Sequence, residues 1–167
     1  VFMLEMFRHY NITAFGRLDF ADVPDEPFAR LYYAAFAIAQ SVRDNLLFIQ
    51  RIFTDSADNI AIANEFLKSE MEERTRVIVG LLEECAAIDD RVPAATIQRL
   101  GYLSSAVIAP MVLGTRFNSM GLLSDELSRN VGALLTDEAI SQRLEWAVCA
   151  MFPSRLECVG IRPDRKK

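Results

Sequence analysis

Apolar residues recur at three- and four-residue spacings along almost the whole chain, and no stretch alternates apolar and polar positions between turns as a half-buried strand does. The pattern predicts an all-α fold, a helical bundle of about six to seven helices. Turn and cap residues divide it. VPDEP closes a first short helical region and opens the next, with Asp25 and Pro27 suited to a helix entrance. From Phe28 to Arg43, one face carries Phe28, Leu31, Tyr32, Ala35, Ala39 and Val42 while Tyr33 and Phe36 lie towards the other, which marks a central helix. NLLFIQRIF leads into TDSADN, where Ser56 or Asp58 is placed to cap the longest helix, running to about Ile88. DDRVP breaks that helix, and Pro93 suits the first turn of its successor. After NSMG, Ser124 with Asp125 and Glu126 opens a shorter helix, and Thr136 with Asp137 and Glu138 opens the last, the acids favouring the positive end of each helix dipole.

Two helices break the simple inside-outside pattern. Between Arg99 and Arg116 no side chain is charged, yet the stretch is shorter than the roughly 20 residues of a membrane-spanning helix, so protein must bury it. It has two apolar faces. Ile97, Leu100, Leu103, Val107, Ile108 and Met111 form a bulky one that can close the domain's own core. Gly101, Ser105 and Ala109 recur every four residues on another, near Tyr102, Val112 and Leu113, where a second helix can approach closely. A second copy of the chain is the economical partner, through an isologous contact that also uses the last helix and its stripe of Ile140, Leu144, Ala147, Val148 and Met151. The other reading packs the small face on a helix of the same chain. Pro110 either kinks this helix and widens a cavity or is a tolerated irregularity.

On the longest helix Ile60, Ala63, Phe66, Leu67, Met71, Val77, Ile78, Leu81, Cys85 and Ile88 fall on one arc, with Glu70 and Arg74 near its centre. The pair is spaced four apart in the favourable acid-before-base order, on the face where solvated charges do not belong. It is either an inward ion pair satisfied by its neighbours or a set of polar contacts for a ligand in an otherwise apolar cavity.

Composition narrows the function classes. With 167 residues and 51% apolar content, one domain with a real core is expected. A net charge of −5 argues against this chain gripping a phosphate backbone by itself, the basic RPDRKK end reading as solvated tail. Cys85, Cys149 and Cys158 share no short metal spacing, and an odd count without a signal peptide points to a reducing, cytoplasmic setting. The chain starts at Val1, which suggests a segment removed or left out upstream. Its single histidine, His9, reads as a solvent-facing or core-edge residue. Metal-binding Glu-x-x-His and HExxH pairs, a Walker loop, a Gly-rich dinucleotide turn and a GxSxG elbow are all missing. No metal, no cofactor and no catalytic residue is expected, and an enzyme working through Glu70 and Arg74 is the least favoured reading. Cys85 reads as a small buried hydrophobe rather than a nucleophile.

The order of elements resembles the C-terminal regulatory domain of TetR-type transcriptional regulators. The likeness lies in FMLEMFRHY, the central PFARLYYAAFAIAQSVRD, the short NLLFIQRIF, the long IANEFLKSEMEERTRVIVGLLEECA, then PAATIQRLGYLSSAVIAPMVLGTRF and the terminal DEAISQRLEWAVCAMF. The family's N-terminal helix-turn-helix is not in this sequence. The resemblance implies the end of a linker helix at residues 1–20, an effector-binding and dimerisation domain at 21–155 and a flexible tail at 156–167. It implies a homodimer closed by a four-helix bundle, and an effector pocket between the central, long and penultimate helices. That pocket would take a small apolar or amphipathic molecule and control, in the family's usual sense as a repressor, DNA binding by the absent segment. By position the pocket residues are Tyr32, Phe36, Phe66, Glu70, Arg74, Tyr102 and Met111, and the dimer residues are Gly101, Ser105, Ala109, Leu144, Val148 and Met151. VFMLEMFRHY would be the lever between pocket and DNA-binding head. The competing reading is a helical protein-protein interaction module whose apolar groove receives a partner helix and no small ligand.

Overall fold

The computed structural model describes residues 18–154, apart from the side chain of Glu70. The expected linker helix at 1–20 lies outside them except for its last three residues, which are not helical, and the expected tail at 156–167 lies outside them entirely. His9 and Cys158 are outside as well.

The described residues form an all-α bundle without strands: α1 (Pro27–Asp44), α2 (Leu46–Ala57), α3 (Ala61–Ile88), α4 (Thr96–Val107), α5 (Ala109–Ser119), α6 (Asp125–Asn130), a 3₁₀ turn (Val131–Leu135) and α7 (Asp137–Met151). Three starts follow from local chemistry. The Glu26 carboxylate accepts the Ala29 N–H at 2.8 Å with Pro27 in the first turn; Asp25, expected at this entrance, instead pairs with Arg30 at 3.3 Å. Ser124 and Thr136 cap α6 and α7 by accepting the Leu127 and Ala139 N–H groups, at 3.4 and 3.2 Å. Each such cap contributes about 1 kcal/mol.

Ser56 and Asp58 do not cap α3. Ser56 lies within α2 and Asp58 ends it; Asn59 then takes the left-handed conformation at φ 59°, with its N–H donating to Ser56 O and the Ile60 N–H to Asp55 O, both at 3.0 Å. This double closure is a Schellman ending, so TDSADN stops one helix rather than starting the next. Pro93 lies in the turn ahead of α4, whose entrance is held by the Ala95 N–H donating to the Gln98 side chain at 3.1 Å.

The main core is built from repeating three- and four-residue steps. Leu31, Ala35, Ala39 and Val42 of α1 meet Ile78, Leu82 and Cys85 of α3, Leu103 and Val107 of α4, and Met111 of α5. Ile140, Leu144, Ala147, Val148 and Met151 of α7 close the same core. The α7 stripe is thus consumed by its own chain. Phe152, wholly buried, stands edge-on to Phe28 at 5.3 Å. A second, smaller cluster forms where α2 crosses the first half of α3, around Ile52 and Ala63 with Phe48, Phe66 and Leu67 beside them. Between the two clusters α3 spans open ground, and Met71, placed on its inner arc by spacing alone, is half exposed there; Ile88, at the other end, is exposed as well.

The uncharged stretch is two helices. Pro110 has no N–H to donate back along the helix, and α4 and α5 meet at a bend of 46° around Ile108. Among the described residues no single helix is long and apolar enough to cross a membrane; α4 and α5 together pass on length and composition, but only as this bent pair.

Candidate functional site

Where α1, α3 and α4 converge, the bundle leaves a cleft. Its walls are Ala35 and Ile38 from α1, Thr75 and Ile78 from α3, and Leu100, Leu103 and Val107 from α4, with Met71, Arg74, Ser104 and Ile108 completing it. The sequence places it at the edge of the main core, where α3 leaves that core and runs towards the second cluster. The cavity volume is ≈ 90 Å³. That is well under the roughly 300–1,000 Å³ of a pocket for a drug-sized ligand. Arg74 is half-buried, and among the described lining residues it is the one cation, beside the hydroxyls of Thr75 and Ser104 and otherwise apolar walls. In chemical terms the cleft offers apolar contact, two hydroxyls and the Arg74 side chain, which suits recognition rather than bond making.

Of the six expected pocket residues whose side chains are described, Arg74 alone lines this cleft. Tyr32 turns towards α7, where its hydroxyl is hydrogen-bonded to the Ser141 hydroxyl, and its ring stacks on Phe36 with centroids 6.1 Å apart. Tyr32 borders a different groove, between the turn at Asp22 to Pro24, α1 and α7, while Phe36 packs against the main core. Phe66 stands edge-on to Phe48 at 5.6 Å in the second cluster. Met111 is wholly buried. Tyr102 is 49% exposed, on the side of α4 that faces α7 and the solvent. Glu70 belongs to α3, four residues before Arg74. The other lining residues were missed from sequence: they are apolar, as Ile38, Met71, Leu100 and Val107 are, or small, as Ala35, Thr75 and Ser104 are, and carry no signal that separates cleft from core.

The dimer residues also divide. Gly101 and Ser105 are exposed and Ala109 is half-buried, whereas Leu144, Val148 and Met151 point into the chain's own core. What α7 shows to solvent is Gln142, Trp146 and Ala150, again at four-residue spacing, with Trp146 59% exposed. Alongside, α4 shows Ile97, Gly101, Tyr102 and Ser105. Among the described residues a Cβ added to Gly101 meets nothing within 4 Å, so no contact among them requires glycine there.

Two polar anchors frame the bundle. At the end of α1, Arg43 donates to Asp44 at 2.8 Å and also pairs with Asp137 at the start of α7; these hydrogen bonds raise the pKa of Arg43 and, with Gln40 donating at 3.2 Å, lower that of Asp137. Arg143 donates to Leu134 O at 2.9 Å, and burial pushes its pKa down. Cys85 and Cys149 are buried and in no disulfide, and among the described residues no three His, Cys, Asp or Glu side chains gather as metal ligands do. Comparison of the chain with family models, curated proteins and solved structures finds no match.

Proposed function

We propose that the chain is the effector-binding and dimerisation domain of a TetR-type transcriptional regulator, whose DNA-binding helix-turn-helix belongs to a segment N-terminal to this sequence. The observation that carries the reading is the place of the cleft: it opens between the central helix α1, the long helix α3 and the penultimate apolar stretch at α4, where the resemblance puts the effector. Its mostly apolar walls, with a few polar side chains among them, suit a small, largely apolar molecule. At ≈ 90 Å³ the cleft must widen to admit such a ligand. The movable wall is the first half of α3, which leans on the second cluster rather than on the main core. The ligand acts by binding the widened arrangement more tightly than the closed one, and only that difference of affinity can reach the DNA-binding heads. The exposed faces of α4 and α7 are the surfaces on which two copies would form the four-helix bundle.

Native mass spectrometry of the purified chain tests both halves at once, by subunit count and by any small molecule carried along. The expected result is a dimer whose bound small molecule is lost from the Ser104→Phe variant, which fills the cleft. A monomer that carries no small molecule overturns the proposal. It would favour the helical interaction module, for which the exposed Leu113, Phe117 and Met120 of the α5 end, with Leu122 and Leu127 beyond it, supply an apolar surface.

A further inference from the structure

A cation with no carboxylate opposite it among the described residues sits at the other end of α4. Arg99, in the first turn of that helix, is 7% exposed. Its Nη2 donates to Val92 O at 2.8 Å, its guanidinium carbon lies 5.4 Å from the centre of the Phe152 ring, and its Nε has no hydrogen-bond partner among the described residues. Among the described residues none of the ion pairs includes Arg99. Buried guanidinium groups are ordinarily paired with an acid, because a carbonyl and a ring face replace only part of the lost hydration.

Arg99 borders a cavity of ≈ 500 Å³ between the turn after α3, the start of α4 and the end of α7. Among the described residues no Asp or Glu lines it. Val92, Ala94 and Met151 make its apolar side, and Gln98 and Tyr102 stand beside Arg99 on the polar side. The Gln98 carbonyl oxygen is taken by the Ala95 N–H, so its amide NH₂ is the group left to offer. The positive end of the α4 dipole adds to the same field.

We infer that this pocket binds an amphipathic organic carboxylate. The carboxylate pairs with the Arg99 guanidinium, within reach of the Gln98 amide, and the apolar body lies against Val92, Ala94, Met151 and the Tyr102 ring. The volume selects an organic acid over a bare inorganic anion, which would leave the apolar walls wet. The site is separate from the α1/α3/α4 cleft and stands whether or not that cleft binds an effector; it shares Tyr102 and Ala150 with the α4 and α7 faces proposed above for dimerisation, so octanoate and a second copy of the chain are expected to compete for it.

The test uses octanoate as the probe, with 1-octanol and inorganic phosphate beside it, titrated into the whole chain by calorimetry and followed by the Arg99 Nε–H resonance. Octanoate is expected to bind at least tenfold more tightly than either comparison and to move that resonance. Arg99→Gln should weaken octanoate at least tenfold. Ala150→Phe, which closes the mouth from an exposed position of α7 and leaves Arg99 in place, should do the same without lowering the melting temperature; it carries the test if Arg99→Gln does not fold. Octanol binding as tightly as octanoate, phosphate binding as tightly as octanoate, no octanoate binding, or an affinity untouched by Ala150→Phe each overturns the assignment.

Discussion

Asp89, the residue that ends α3, holds Ser154, beyond the end of α7: its Oδ2 accepts the Ser154 backbone N–H at 2.9 Å and the Ser154 hydroxyl as well. Its Oδ1 accepts the Arg91 N–H at 3.2 Å. With Asp89 3% exposed, this carboxylate joins the exit of the longest helix to the exit of the last one, and the turn to α4 winds around it.

The Ser154 hydroxyl, more than any other group, holds the Asp89 pKa below the usual carboxylate range. A folded-state pKa below the unfolded one contributes stability above about pH 4, and that contribution is lost as pH falls through the lowered value. Ser154→Ala should therefore melt at a lower temperature than the parent at neutral pH, and the gap should close on acidification. Thermal unfolding monitored between neutral and strongly acidic pH checks this. A gap that stays constant to the acid end would mean that Ser154 acts through packing alone.

Two helix endings depend on a left-handed residue. Gly121 at φ 68° closes α5, with its N–H on Asn118 O and the Leu122 N–H on Phe117 O, both at 3.0 Å, and Asn59 does the same for α2. Gly121→Ala should cost about 1 kcal/mol and Gly121→Asn less, because a Cβ in that region is strained and asparagine tolerates it best. Asn59→Gly should be nearly neutral and Asn59→Ala should lose about 1 kcal/mol. Chemical denaturation orders the four variants, and an alanine as stable as the residue it replaces would remove the motif from either ending.

The two clusters should open separately. Among the described side chains of the first half of α3, Ala63 alone is fully buried, against Ile52 and its aromatic neighbours, while Ile78, Leu81, Leu82 and Cys85 sit in the main core. Native-state hydrogen exchange should show Ile78 to Cys85 protected to the level of global unfolding and the amides around Phe66 exchanging through a lower-energy opening. Phe48→Ala should lower protection around Phe66 further and leave the second half of α3 unchanged. Equal protection along all of α3 would leave the cleft with no wall able to move.

The helical elements were legible because their signals are local. A face such as Leu31, Ala35, Ala39 and Val42, or a cap such as Thr136, is decided within a few residues. The ending at Asn59 was misread because capping residue types also occupy Schellman endings, and only the sign of φ separates the two. The cleft was largely illegible, since its lining depends on how α1, α3 and α4 are rotated against one another; that brings Ile38 to Arg74 and takes Tyr32 away to Ser141. Arg99 looked like the charged border of an uncharged stretch, and nothing near it in sequence announces that Phe152 and Val92 cover it. The stripe on α7 is equally apolar whether it meets its own core or another chain.

That last ambiguity is where a pair of variants decides most. Leu144 is wholly buried in its own chain, so Leu144→Ala should cost about 2–5 kcal/mol of folding stability at any protein concentration. Gly101 is exposed on α4 with open space around it, so Gly101→Arg removes a helix-weakening glycine and should leave the isolated chain at least as stable. If two copies meet on the faces of α4 and α7, the arginine blocks close approach, and Trp146→Glu places a charge on the same surface. Sedimentation of both surface variants should then give folded monomers under conditions where the parent is a dimer, with helical circular dichroism retained. A parent dimer that survives both substitutions must be joined elsewhere, and the apolar residues of the α5 end, Leu113 and Phe117, become the surface to change next.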